Sequence, residues 1–181
     1  YGECQLVLFN FGKTIYEGLK DSKDAYVPQI LNKLTNKRKQ DIVDGKTTEE
    51  VLWTLYSLQE GISRLKDEDK THGTGTITLL DTFNSISGIV DNNKENSNNG
   101  GKMSIISGKA YIKFDKKYIL SKDLYGIMKS DFKVIAFNNS NNLLESPDYE
   151  YVRSLKTSFP GTVISMQFPI DGKYISKVKN N

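Results

Sequence analysis

The sequence predicts an α+β fold in two layers: a mixed, mainly antiparallel sheet with helices over one face. Three observations predict it. A continuous apolar run opens the chain, helical periodicity governs the stretch up to about residue 90, and alternation of period two follows residue 101. Such a sheet has one face covered and the other partly solvated. With 181 residues, 37% of them apolar, the chain fits a single domain, 1–181, with a real core.

The elements follow in order. "CQLVLFNF" reads as a strand buried on both faces, ending at Gly12. From Asp24 to about Val43 the pattern is helical, with Val27, Ile30, Leu31, Leu34 and Ile42 near one side and Pro28 in the first turn, where a missing N–H costs little. Thr47 with Glu50 has the spacing of a capping box. It opens a helix striped by Val51, Leu52, Leu55, Leu58 and Ile62. "RLKDEDKTHGTG" is a polar loop. A third helix runs from about Thr76 to Val90, with Leu79, Leu80, Phe83, Ile86 and Val90 on one side. "DNNKENSNNGG", residues 91–101, is a polar spacer with nothing to bury, and its composition predicts an exposed, flexible segment. "KMSIISGKAYIKFD" then reads as two short strands around Gly108, and "FKVIAFN" as another. "GTVISMQFPI" turns Ile164, Met166 and Phe168 inward against Ser165 and Gln167.

Composition narrows the function. Basic and acidic side chains number 25 and 22, so the net charge is only +3, too small and scattered for a nucleic-acid or membrane-surface partner. Tyr16, Tyr26 and Tyr56 are dispersed rather than interleaved with a basic stripe, and Lys37-Arg38-Lys39 reads as a solvated helix face. Cys4 stands alone, which excludes an internal disulfide and a cysteine zinc cage and suits a reducing compartment; the expected location is cytoplasmic. It reads as a small buried hydrophobe rather than a nucleophile. His72 is the one histidine, so a histidine-pair metal site and the usual hydrolase triad are both excluded, and it reads as a loop residue. No apolar run approaches the roughly 20 residues of a membrane span. Starting at Tyr1 without a methionine, inside a strand-like pattern, the chain reads as a fragment.

Gly73 and Gly75 stand at the doorway of the third helix. The first N–H groups of a helix have no partner within it, and they attract anions together with the helix dipole. Glycines let an anion approach the backbone without meeting a Cβ, and Thr74 and Thr76 add hydroxyls at the same place. Alone, Gly-x-Gly is a weak signal: it matches neither the P-loop nor the dinucleotide fingerprint.

Three motifs in series add to it: "FNFGKTI", "GTGTITL" and "FPGTVISMQFPI". Their order resembles the GHKL, or Bergerat-fold, ATP-binding superfamily. There a strand ends in a first glycine box, a lid follows, a second glycine box opens a helix, and antiparallel strands close the sheet. "LYSLQEGISRLKDEDKTHGTGT" looks like the lid of bacterial members that carry no phosphoacceptor region, as in histidine-kinase-like ATPase domains. The resemblance implies a lid at 13–72 and ATP, with Mg, as the ligand. It puts Asn10 at the adenine amino group and Gly12 against the base. Gly73, Thr74, Gly75 and Thr76 would lie around the phosphates, and Thr162 would assist Asn10. Arg64, Lys66 or Lys70 of the lid would neutralise phosphate charge.

The chain also departs from that pattern. Asn10 stands where the family has an aspartate, and Thr14 replaces the second glycine of the first box. The family's N-terminal helix, with the glutamate that activates water and the asparagine that holds magnesium, is not in this sequence. Glu17, Asp21, Glu49, Glu50 and Glu60 do not occupy its place in the order. A fragment whose catalytic residues lie upstream and a fold kept without hydrolysis both account for this. Three functions stay in view: an ATP- or ADP-binding module whose occupancy orders the lid and signals to a partner domain, a non-catalytic interaction module with a degenerate pocket, and an unrelated domain whose glycines are only turns.

Overall fold

The opening strand and the closing strand pair with each other. The computed structural model describes residues 2–22, 26–62, 75–86, 101–115, 117–128 and 131–170. In it β1 (Gly2–Phe11) lies antiparallel to β5 (Val152–Ile170), and β5 lies antiparallel to β2 (Lys102–Phe114). The sheet order is β1-β5-β2, so the last strand is central. A short ladder of β3 (Ser121–Lys122) with β4 (Lys133–Val134) stands apart. The described ladders are antiparallel, and the fold is α+β in two layers.

The expectation that "CQLVLFNF" is buried on both faces is overturned. β1 is an edge strand, and Leu6, Val7, Leu8, Phe9 and Phe11 are all exposed, Phe9 by 65% and Phe11 by 66%. A continuous apolar run does not distinguish an edge from a centre, because that depends on what lies beside and above it. Cys4 is only half-buried.

β2 is one strand rather than two. Its inward positions are Met103, Ile105 and Ser107 before Gly108, and Ala110, Ile112 and Phe114 after it. The change of parity is made by a bulge. The register passes from Ser107 opposite Thr162 to Gly108 opposite Phe159, and Gly108 takes a φ of 57°. The skipped residues of β5 are Pro160 and Gly161, so a proline sits within the central strand at a place where the ladder does not need its N–H. Further along β5, Met166 is buried and Ile164 and Phe168 pack on the core, as the alternation predicts.

The helical layer comprises α1 (Ile15–Lys20), α2 (Tyr26–Lys37), α3 (Lys39–Val43), α4 (Glu49–Tyr56) and α5 (Gly75–Ile86). Hydrophobic periodicity does not predict α1, which is only six residues long. Its signature is "TIYE": the Thr14 hydroxyl accepts from Glu17 N, and the Glu17 carboxylate accepts from Thr14 N at 2.8 Å. The expected box at Thr47 and Glu50 does not form. Thr48 is the cap, accepting from Val51 N, while Glu50 turns to Lys109 N at 3.1 Å and Thr47 is buried with its hydroxyl unpartnered among the described residues. The single helix expected over 24–43 breaks at Arg38. That side chain is not solvated, since its Nη1 donates to Asp41 at 3.2 Å and to Ser146 at 2.8 Å. α5 is also shorter than expected, and Val90 lies outside the described residues.

The core lies between the layers. Leu31, Leu34, Val51, Leu52 and Leu55 of the helices meet Met103, Ile105, Ile112 and Met166 of the sheet. Burial of side chains of this size contributes about 1.5–3 kcal/mol each. The segment 13–62, expected as part of a lid, is this packed layer: every residue from Val51 to Tyr56 is buried. The remainder of that lid, 63–72, and the spacer up to residue 100 lie outside the described residues.

"FKVIAFN" contributes only the short β4. Beyond it, Gln59 substitutes for a neighbouring strand. Its fully buried amide accepts from Ile135 N at 2.8 Å and donates to Ile135 O at 3.1 Å.

Candidate functional site

Across the helix-facing side of the sheet, paired residues form rows. Leu6, Met166 and Met103 make one, and Leu8, Ile164 and Ile105 the next. The third row is polar: Asn10, Thr162 and Ser107. It lies at the bulge, where the ladder between β2 and β5 is interrupted.

A cavity of about 350 Å³ opens over this polar row. Asn10, Thr162, Ile105 and Ile164 of the sheet line it. Lys13, Thr14, Ile15, Gly18 and Leu19 line one side, Ser57, Leu58 and Ile62 another, and Thr76 and Leu79 of α5 a third. Its volume falls in the range of small-molecule sites, and apolar walls with a few convergent polar groups are what such sites require.

Each wall has a local cause. α1 is fixed over the sheet by Tyr16, whose ring meets Trp53 edge-on at 5.3 Å and whose hydroxyl donates to Glu49 at 2.7 Å. Burial, more than its other neighbours, raises the Tyr16 pKa, so the phenol stays a donor. Two N–H groups at the start of α1 are already engaged, Ile15 N donating to Ser107 Oγ at 2.8 Å and Glu17 N to Thr14 Oγ1. α5 is anchored by Ile77, Leu80 and Phe83, all buried, and by Lys133 paired with Asp81 at 2.7 Å.

Ser107 organises the polar row. It is fully buried, receives Ile15 N–H and lies 2.9 Å from Thr162 Oγ1. Gly161 permits the close approach of β5 to β1 beside it. Its φ is 138°, and a Cβ there would stand 1.9 Å from the Asn10 carbonyl oxygen.

The residues singled out in the sequence divide as follows. Asn10, Thr76 and Thr162 come together on the cavity. Gly12 lines a shallower depression beside it, with Lys13, Glu17, Lys20 and Asp21. Gly75 is the exposed first residue of α5 and does not line the cavity; a Cβ there would meet open space. Gly73, Thr74, Arg64, Lys66, Lys70 and His72 lie outside the described residues.

Sequence reasoning missed Lys13 and Ser107. Lys13 pairs with Asp21, and both side chains are more than half exposed, so the pair is weak and leaves the ammonium available at the rim. Ser107 had one visible sign, a hydroxyl breaking the apolar inward series of "MSIISG" just before the glycine.

The acidic residues are employed elsewhere. Glu17 caps α1, Asp21 pairs with Lys13, Glu49 takes Tyr16, Glu50 takes Lys109 N, and Glu60 takes Lys133 N at 2.7 Å. Among the described residues no carboxylate lines the cavity, and no group of three or more His, Cys, Asp or Glu stands together. No helix among them is long and apolar enough to cross a membrane. No protein family, curated protein or solved structure matches this chain.

Proposed function

We propose that the cavity binds a purine nucleotide in the manner of a GHKL module, its occupancy being passed to a partner protein or attached domain. The observation that carries this reading is the convergence of Asn10, Thr162 and Thr76 on one cavity. These residues come from the first strand, the last strand and the third of the helices expected from sequence. The strand tips bearing "FNFG" and "PGT" are neighbours, with Phe11 opposite Gly161, as this reading requires. In this reading Asn10 and Thr162 face the base, and Ile105, Ile164 and Leu58 flank it. Thr76 and Lys13 lie towards the phosphates.

Magnesium does not fit the described lining. That ion is usually held through one or two carboxylates together with phosphate oxygens, and no described carboxylate faces the cavity. The reading is therefore of binding, with no hydrolytic step and no water-activating base assigned.

The test is calorimetry with ATP and with ADP, each with and without magnesium. Saturable binding at or below the millimolar range supports the reading, and no heat at millimolar ligand ends it. A second reading, a non-catalytic interaction module with a degenerate pocket, is favoured by Asn10 in the aspartate's place. Tight ATP binding that Thr162→Val weakens argues against it, since Thr162 lines the cavity.

A further inference from the structure

Building on the purine-nucleotide reading, we infer that this site takes 6-amino and 6-oxo purine nucleotides without discriminating between them. A site separates two such bases only when a polar group fixed as acceptor or donor would be left unpaired by the wrong one. Neither polar group that Asn10 and Thr162 present to the base is fixed in that sense.

Asn10 carries an amide, which offers an acceptor oxygen and a donor nitrogen at opposite ends of one rotating group. No described residue hydrogen-bonds that amide, and Asn10 is exposed at the cavity end of β1. Nothing described therefore selects which end faces the ligand. Turned one way, Oδ1 accepts from a 6-amino group; turned the other way, Nδ2 donates to a 6-oxo group.

Thr162 is ambivalent for a reason two residues deep. Ser107 Oγ accepts from Ile15 N at 2.8 Å and shares a bond with Thr162 Oγ1 at 2.9 Å. Ser107 is fully buried, and Thr162 Oγ1 is the one acceptor recorded for its proton among the described residues. Ser107 accordingly donates, and Thr162 receives. That leaves Thr162 with its own O–H free to donate into the cavity and a second lone pair free to accept. A carboxylate at position 10 would behave differently. It accepts only, so it would bond a 6-amino group and repel a 6-oxo oxygen.

The experiment compares ADP with inosine diphosphate, which differ at the base in the 6-substituent and the N1 proton that accompanies it. Dissociation constants of the unmodified chain are expected to agree within about threefold. Asn10→Asp is expected to favour ADP by tenfold or more, at unchanged circular dichroism and melting temperature. Thr162→Val is expected to weaken both ligands alike. A tenfold ADP preference in the unmodified chain overturns the inference while leaving the nucleotide reading intact, and so does an unaltered ratio in Asn10→Asp. Failure of both ligands to bind at millimolar concentration removes the reading and the inference together.

Discussion

Asn10 stands directly opposite Thr162 across the ladder of β1 and β5, both on the helix-facing side, at the end of a sheet whose preceding rows are apolar. The pairing fixes the distance between two groups 152 positions apart in sequence (162 minus 10). It also makes the cavity floor as rigid as the ladder beneath it. What Thr162 does depends in turn on Ser107.

Ser107 and Thr162 are therefore expected to differ on mutation. Thr162→Val removes a cavity hydroxyl and should weaken nucleotide binding by about tenfold, near the 1.4 kcal/mol at the upper end of a typical net hydrogen bond, and it also takes the acceptor from the buried Ser107 O–H, at a cost in stability. Ser107→Ala also strands Ile15 N–H. It should lower unfolding stability by about 1–3 kcal/mol, the cost of a buried unpaired group. Calorimetry and urea denaturation separate the two effects.

The glycines near the site should sort by geometry rather than by motif. Gly161→Ala forces a Cβ to 1.9 Å from the Asn10 carbonyl oxygen at a φ of 138°, and should cost well over 1 kcal/mol with loss of the cavity. Gly12→Ala, with a φ of 143° but open space, carries conformational strain alone. Gly75→Ala meets neither obstacle and should be neutral or stabilising by up to about 1 kcal/mol. Denaturant midpoints of the variants give the order.

Adjacent threonines provide a third comparison. Thr48→Ala removes the N-cap of α4 and should cost about 1 kcal/mol. Thr47→Val replaces a buried hydroxyl that has no described partner, and should leave stability unchanged or raise it. If Thr47→Val proves the more damaging, α4 is capped from Thr47 after all.

The ion pair of Lys117 with Asp148, at 2.6 Å, predicts a pH dependence. The hydrogen bond from Lys117 holds the Asp148 carboxyl below the usual aspartate range, and the same bond raises Lys117. Asp148 therefore contributes stability above its unfolded pKa of about 3.9, lost as pH falls through the lower folded value. Lys117 contributes below its unfolded value of about 10.4, lost as pH rises through the folded one. The effect is modest, since the Lys117 side chain is 47% exposed. Unfolding midpoints measured from acid to alkaline pH should show Asp148→Asn and Lys117→Met each flattening both limbs, because either substitution removes the shared bond.

Much of this was legible in the chain, for local reasons. The helix of Leu31 and Leu34, the helix of Val51 to Leu55 and the inward side of "VISMQF" follow from periods of 3.6 and two, which backbone geometry imposes whatever lies nearby. α1 carries its own cap in "TIYE", but six residues are too few for periodicity to show. Pairing between distant segments was not available to periodicity. The exposure of Phe9 and Phe11 depends on β1 being an edge, the choice of Thr48 over Thr47 on a backbone N–H of β2 claiming Glu50, and the burial of Arg38 on Asp41 and Ser146. By itself, then, the sequence determined an α+β chain with these helices and these apolar faces. Only the tertiary structure decided that Ser107 lies beneath Thr162 and that Asn10, Thr162 and Thr76 share one cavity, because strand register and layer packing set the distances between side chains remote in sequence.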